Sequence, residues 1–176
     1  VYIWLMNGTS IDSQGSPGTV SDLNWKIQKV GDYTGDGKAD ILWRHQSTGE
    51  MSVWVMDGIT RESGGTPGWV TTDWQIRDVG DFDGDGKADF LWRNVNSGQV
   101  YIWLMNGTSI GSQGSPGTVS DLNWKIQWAG DFTGDGKADI LWRHQPTGEM
   151  SVWVMDGITR VSGGTPGWVT PDWEIK

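Results

Sequence analysis

Cysteine is absent from the 176 residues, which removes disulfides, thiolate metal sites and cysteine nucleophiles together. Long apolar runs are also missing. None approaches the roughly 20 residues that a membrane helix needs, so no membrane insertion is expected. Amphipathic stretches of helical length do not occur, and 27 glycines interrupt whatever might have formed one, so helix is all but excluded. Positive charge is sparse: 13 Lys and Arg against 22 Asp and Glu leave a formal net charge of -9. The basic residues stand singly, phosphate backbones are repelled, and nucleic acid is not an expected partner. Only two histidines occur, His45 and His144, with no clustered ligands around them and no Gly-x-Ser-x-Gly elbow anywhere. Hydrolytic metal chemistry and triad catalysis therefore lack support, and the chain is not expected to be an enzyme.

What the chain has is repetition. Aligning Trp4, Trp54, Trp103 and Trp153 gives steps of 50, 49 and 50 residues, a period that marks propellers, solenoids or arrays. One repeat domain, 1–176, is expected, with units 1–50, 51–99 and 100–149 and a partial unit 150–176. Units one and three differ only at positions 12, 29, 30, 33 and 47, so the true period is a 99-residue double repeat. Such alternation fits an even-numbered ring or an open array. Within a unit the apolar runs are short and rich in β-branched and aromatic residues, as in Val1 to Met6 and Ile41 to Trp43, and read as strands. Thr48-Gly49, Ser97-Gly98 and Thr147-Gly148 are hairpin signals, and Asn7-Gly8 and Asp57-Gly58 close the next strand. The run Val1 to Met6 is apolar on both faces and must be covered on both. Sheets stacked face to face do this, and about 50 residues match one four-stranded propeller blade. The expected fold is all-β: tandem four-stranded blades of a β-propeller, or an open array of them.

Three times the chain writes an acidic loop, Gly31 to Asp40, Gly80 to Asp89 and Gly130 to Asp139. Oxygen-bearing side chains fall at loop positions 1, 3, 5 and 9: Asp32, Thr34, Asp36 and Asp40; Asp81, Asp83, Asp85 and Asp89; Asp131, Thr133, Asp135 and Asp139. The backbone carbonyls of Lys38, Lys87 and Lys137 at position 7 complete each expected set. Glycines at positions 4 and 6 let the backbone curl, and the all-oxygen set suits calcium. The middle loop, with Asp83 where the others have threonine, is expected to bind tightest. EF-hands and dockerins need a helix after the loop, whereas here a strand follows at once.

The run Gly80 to Asn94 resembles the FG-GAP/VCBS-type repeat, similar to the calcium-bearing blades of integrin α-subunits and of some integrin-like propeller lectins. The resemblance covers essentially the whole chain. It implies a β-propeller with calcium held between adjacent strands of a blade, in extracellular proteins concerned with adhesion or ligand binding. Residue 1 lies inside a strand-like run with no initiator Met, and the chain is expected to be a segment of a longer secreted protein.

Of 14 tryptophans, eleven recur in three fixed slots and are expected to pack between blades. The other three, Trp69, Trp168 and Trp128, are the candidates for stacking on a ligand such as a sugar. Arg44, Arg93 and Arg143 are expected to pair with a loop aspartate or to stack on an indole. Asn7 and Asn106 head Asn-Gly-Thr sequons on a turn, candidate glycosylation sites that turn chemistry alone also explains. Together these readings point to an extracellular, calcium-stabilised structural or adhesion repeat, part of a larger propeller or of a self-assembling fibre. A carbohydrate-binding lectin and a non-catalytic scaffold of a secreted enzyme are the alternatives. Expected partners are copies of the chain meeting at blade edges, glycans, or cell-surface proteins.

Overall fold

The computed structural model describes residues 1–170, 172 and 173, and every regular element of at least five residues among them is a β-strand. Chain contacts divide the molecule into two units, Val1–Thr72 with Asn106–Ser109, and Asp73–Met105 with the residues from Ile110 onward.

The first unit holds a hairpin of β1 (Ile3–Asn7) and β2 (Ser10–Gly15), and a four-stranded sheet of β3 (Trp25–Gly31), β4 (Asp40–His45), β5 (Met51–Asp57) and β6 (Thr60–Gly65), paired in chain order. The second unit holds two further sheets of the same order. One comprises β7 (Trp74–Gly80), β8 (Asp89–Asn94), β9 (Gln99–Asn106) and β10 (Ser109–Thr118). The other comprises β11 (Trp124–Gly130), β12 (Asp139–His144), β13 (Glu149–Asp156) and β14 (Thr159–Trp168). These are antiparallel blades in tandem. Each acidic loop joins the first and second strands of a blade.

Apolar character on both faces of a strand is satisfied where the strand is internal. In β5 only Asp57 is exposed, and in β9 only Asn106. The hairpin strand β1 begins at Ile3 rather than Val1, has β2 as its sole sheet neighbour among the described residues, and leaves Tyr2, Trp4 and Met6 exposed. Expected coverage on both sides therefore holds for β5 and β9.

The recurring tryptophans form diagonal cross-strand pairs: Trp43 with Trp54 at 5.1 Å, Trp92 with Trp103 at 5.0 Å and Trp142 with Trp153 at 5.1 Å between ring centroids. In the second unit, Trp142 and Trp153 join Leu91, Val100 and Ile102 of the preceding blade in one core. Large rings thus bury area both across a blade and between blades. Close approach also depends on glycine. A Cβ on Gly49 or Gly98 would lie 1.9 or 2.0 Å from the carbonyl of Val70 or Val119, and both glycines have φ near +75°. The segment leaving the fourth strand folds back onto this turn, where Val70 and Val119 donate to the Gly49 and Gly98 carbonyls.

Each first strand carries a bulge, with register shifting between Ile27 and Lys29, Ile76 and Asp78, and Ile126 and Trp128. The extra residue increases local twist just before the acidic loop. In the second unit the bulge brings Asp78 to accept from the Ala129 amide at 2.8 Å.

Candidate metal centre

The three loops share one scaffold. The position-1 aspartate caps its own loop: Asp81 accepts from the amides of Gly84, Asp85 and Gly86 at 2.7, 3.1 and 2.8 Å. Asp32 and Asp131 do the same for Gly35 to Gly37 and for Gly134 to Gly136. Such a turn needs φ > 0 at positions 4 and 6, and Gly84 and Gly86 stand at +81° and +84°, which glycine adopts without strain.

The position-9 aspartates are fully buried, and each carboxylate spans two parts of its blade. Asp89 accepts from the Phe82 amide in the loop at 2.8 Å and from the Met105 amide in the third strand at 2.7 Å. Asp40 joins Tyr33 to Met56, and Asp139 joins Phe132 to Met155, in the same way. A carboxylate oxygen that accepts one amide retains a further lone pair for a cation.

In the second loop Asp81, Asp83 and Asp89 converge, with ligand oxygens within 4.8 Å of one another. Their titration reflects that crowding. Burial raises the Asp83 carboxyl, with the negative charges of Asp85 and Asp81 adding to the effect. Burial pushes Asp89 up to about 7 despite its two amide bonds. Three carboxylates in one such space favour either a proton or a cation, and their all-oxygen chemistry suits a hard divalent ion. In the first loop threonine stands at position 3, and Thr34 Oγ1 lies 3.4 Å from Asp32. Among the described residues, no comparable trio of carboxylates forms there or in the third loop.

Position 5 stands apart from the trio, because Asp85 pairs with the Lys87 ammonium. Lys38 bridges to Asp57 at 3.1 Å, and Lys137 pairs with Asp156. These lysines clip each loop to its own side chains or to the turn after the third strand. The second loop is further fixed by the next blade, since the Asp81 and Phe82 carbonyls accept from the Ala138 and Gly157 amides at 2.6 and 2.9 Å.

Two constellations escaped sequence reasoning. The buried arginines grip backbone carbonyls of the segment that leads out of the blade. Arg93 donates to the carbonyls of Val119, Asp121 and Trp124, Arg44 to those of Val70 and Thr71, and Arg143 to those of Val169, Thr170 and Trp173. The expected indole stack is present at Arg93, whose guanidinium lies 5.0 Å from the Trp142 ring centroid. His45 and His144 meet Asp22 and Asp121 at 3.0 and 3.1 Å, and Asn94 takes the same role toward Asp73 at 2.8 Å. An Asn can replace His there because the slot needs only a side-chain hydrogen bond.

The remaining candidates are on the surface. Trp69, Trp168 and Trp128 are exposed, Trp128 standing edge-on to Phe132. Trp168 lines a cavity of about 330 Å³ with Thr147 and Glu149. Asn7 and Asn106 are exposed at the ends of their strands.

The sequence model of the FG-GAP-like repeat matches twice, over residues 32–92 and 81–142, together more than half the chain. The chain belongs to the FG-GAP-like repeat family. Each match starts at the first aspartate of an acidic loop and runs through the next loop into the strand that follows. The FG-GAP-like repeats make this a repeat protein of the β-propeller type, in a family that is generally structural and typical of extracellular proteins. No curated protein matches the chain. Among the described residues no helix is long and apolar enough to cross a membrane.

Proposed function

We propose that the chain is an extracellular structural or adhesion repeat in which calcium fastens each blade and blade edges meet further copies in a larger propeller or fibre. The observation that carries the calcium reading is the convergence of Asp81, Asp83 and Asp89. These side chains, with the Lys87 carbonyl, would hold the ion in the second loop. Asp32, Thr34 and Asp40, and Asp131, Thr133 and Asp139, offer weaker sets in the others. A bound divalent cation would neutralise charge that the loop otherwise leaves crowded. The fastening itself belongs to the protein: the position-1 aspartate shapes the turn, and the position-9 aspartate ties it to the third strand.

The assembly part of the reading draws on the tandem of like blades, each an open four-stranded antiparallel sheet, since exposed sheet edges recruit other chains. The test is thermal melting with and without chelator, paired with electron microscopy of the calcium-loaded protein. A sharp fall in melting temperature on chelation and discrete rings or filaments are expected. An unchanged melt would end the calcium role, and monodisperse single particles at high concentration would end the assembly role.

A lectin reading draws on Trp168, an exposed indole beside Thr147 and Glu149. Loss of glycan binding in Trp69→Ala and Trp168→Ala would favour it over adhesion through blade edges.

A further inference from the structure

A cleft of about 270 Å³ lies against one face of the β3 to β6 blade, beneath the segment that leads into β3. Three indoles, Trp25, Trp43 and Trp54, wall it, and Ser52, Ser21 and Asp22 supply polar atoms. Trp43 is 5% exposed, and its Nε1 has no hydrogen-bond partner among the described residues. That nitrogen is closed off from solvent and offers no point of attachment; what the cleft offers is apolar indole walls with a polar margin, which suit a ring that carries one polar group.

The neighbouring blade type shows what shape this space admits. Ser52 stands directly opposite Trp43 in the β4–β5 register, and Tyr101 stands directly opposite Trp92 in the β8–β9 register. Trp74 is the repeat equivalent of Trp25, and the Tyr101 ring lies against it edge-on, with centroids 5.9 Å apart. One blade therefore carries its own phenol at the position where the other carries a serine and a cleft. Ser151 stands opposite Trp142 in the third blade. The alternation follows the 99-residue period.

We propose that the Ser52 cleft is a binding site for a phenol ring, taking from a ligand the group that Tyr101 supplies internally in the neighbouring blade. Indole walls receive the ring by edge-to-face contact. The phenol hydroxyl is offered to the hydroxyls of Ser21 and Ser52 or to the Asp22 carboxylate at the cleft margin. A small phenol and a tyrosyl side chain share this chemistry.

The test uses the full chain in calcium, titrated with p-cresol and with N-acetyltyrosinamide while the indole ¹H–¹⁵N resonances are followed, Trp43 being assigned from Trp43→Phe. A saturable shift of the Trp43 resonance is expected with p-cresol. A matching shift with N-acetyltyrosinamide points to tyrosyl side chains as the source, and its absence points to small phenols. Ser52→Tyr refills the cleft with the ring the neighbouring blade already carries, so it is expected to fold, by its melting curve, and to lose the shift. No Trp43 shift with p-cresol, a shift that persists in folded Ser52→Tyr, or a saturable shift with methyl glucoside in place of p-cresol would each overturn the proposal.

Discussion

Asp83 is the residue at which the three loops part company. It adds a third carboxylate to Asp81 and Asp89, where Thr34 and Thr133 offer a neutral oxygen. Calcium affinity in such loops follows ligand charge. Asp83→Thr is therefore expected to weaken binding at the second loop by roughly tenfold, and Thr34→Asp to strengthen the first, both read by calorimetric titration. An unchanged isotherm for Asp83→Thr would remove the second loop's advantage. Asp89 carries the pH dependence. Its carboxyl is pushed up to about 7 by burial, so in the ion-free protein the folded state holds this proton more tightly than the unfolded chain does. That contribution is full below the unfolded carboxylate pKa and is lost as pH rises through about 7. A cation at the same oxygens competes with the proton. Chelator should thus lower the melting temperature little at about pH 5 and strongly at about pH 8. Asp89→Asn should flatten that difference while lowering stability at every pH, since an amide oxygen can accept only one of the two backbone amides in place.

At the level of the elements, the arginine of each second strand links a blade to the segment that leaves it. Arg93 is 2% exposed and donates to three carbonyls. Its removal leaves those carbonyls short of a charged donor and is expected to cost about 2–3 kcal/mol in urea unfolding of calcium-loaded protein. Arg93→Lys should recover only part of this, because an ammonium lacks the planar fork that reaches several carbonyls at once. A cost within error of zero would show that the clamp is incidental. This clamp also marks the limit of sequence reading. The loops were legible because aspartate and glycine recur there at fixed spacing, and the strands because β-branched and aromatic runs recur between glycines. The arginine's partners were not, because a backbone carbonyl carries no residue signature. Ser52 was silent for a related reason: a serine in a strand looks like a solvent-facing residue until the register sets it opposite Trp43.

Across the whole chain, the 99-residue period makes the molecule a pair of alternating blade types rather than one blade copied. Trp43 and Trp142 face serines, and Trp92 faces a tyrosine. The acidic loop varies on the same beat, with threonine, aspartate and threonine at position 3. Loop charge and side-chain filling thus alternate with blade type. A duplicated unit can keep one copy rigid while its neighbour varies, since each blade has its own hydrogen-bonded frame and loop.

The buried aspartate that closes each loop has a mechanical meaning as well. Asp40, Asp89 and Asp139 each hold a loop amide with one oxygen and a third-strand amide with the other. Pulling the loop open therefore also unzips the hairpin behind it, and neither can yield alone. Stretched between its ends, the chain should lengthen in sawtooth steps of one repeat, about 50 residues or ~17 nm of contour each, with chelator lowering the force at every tooth.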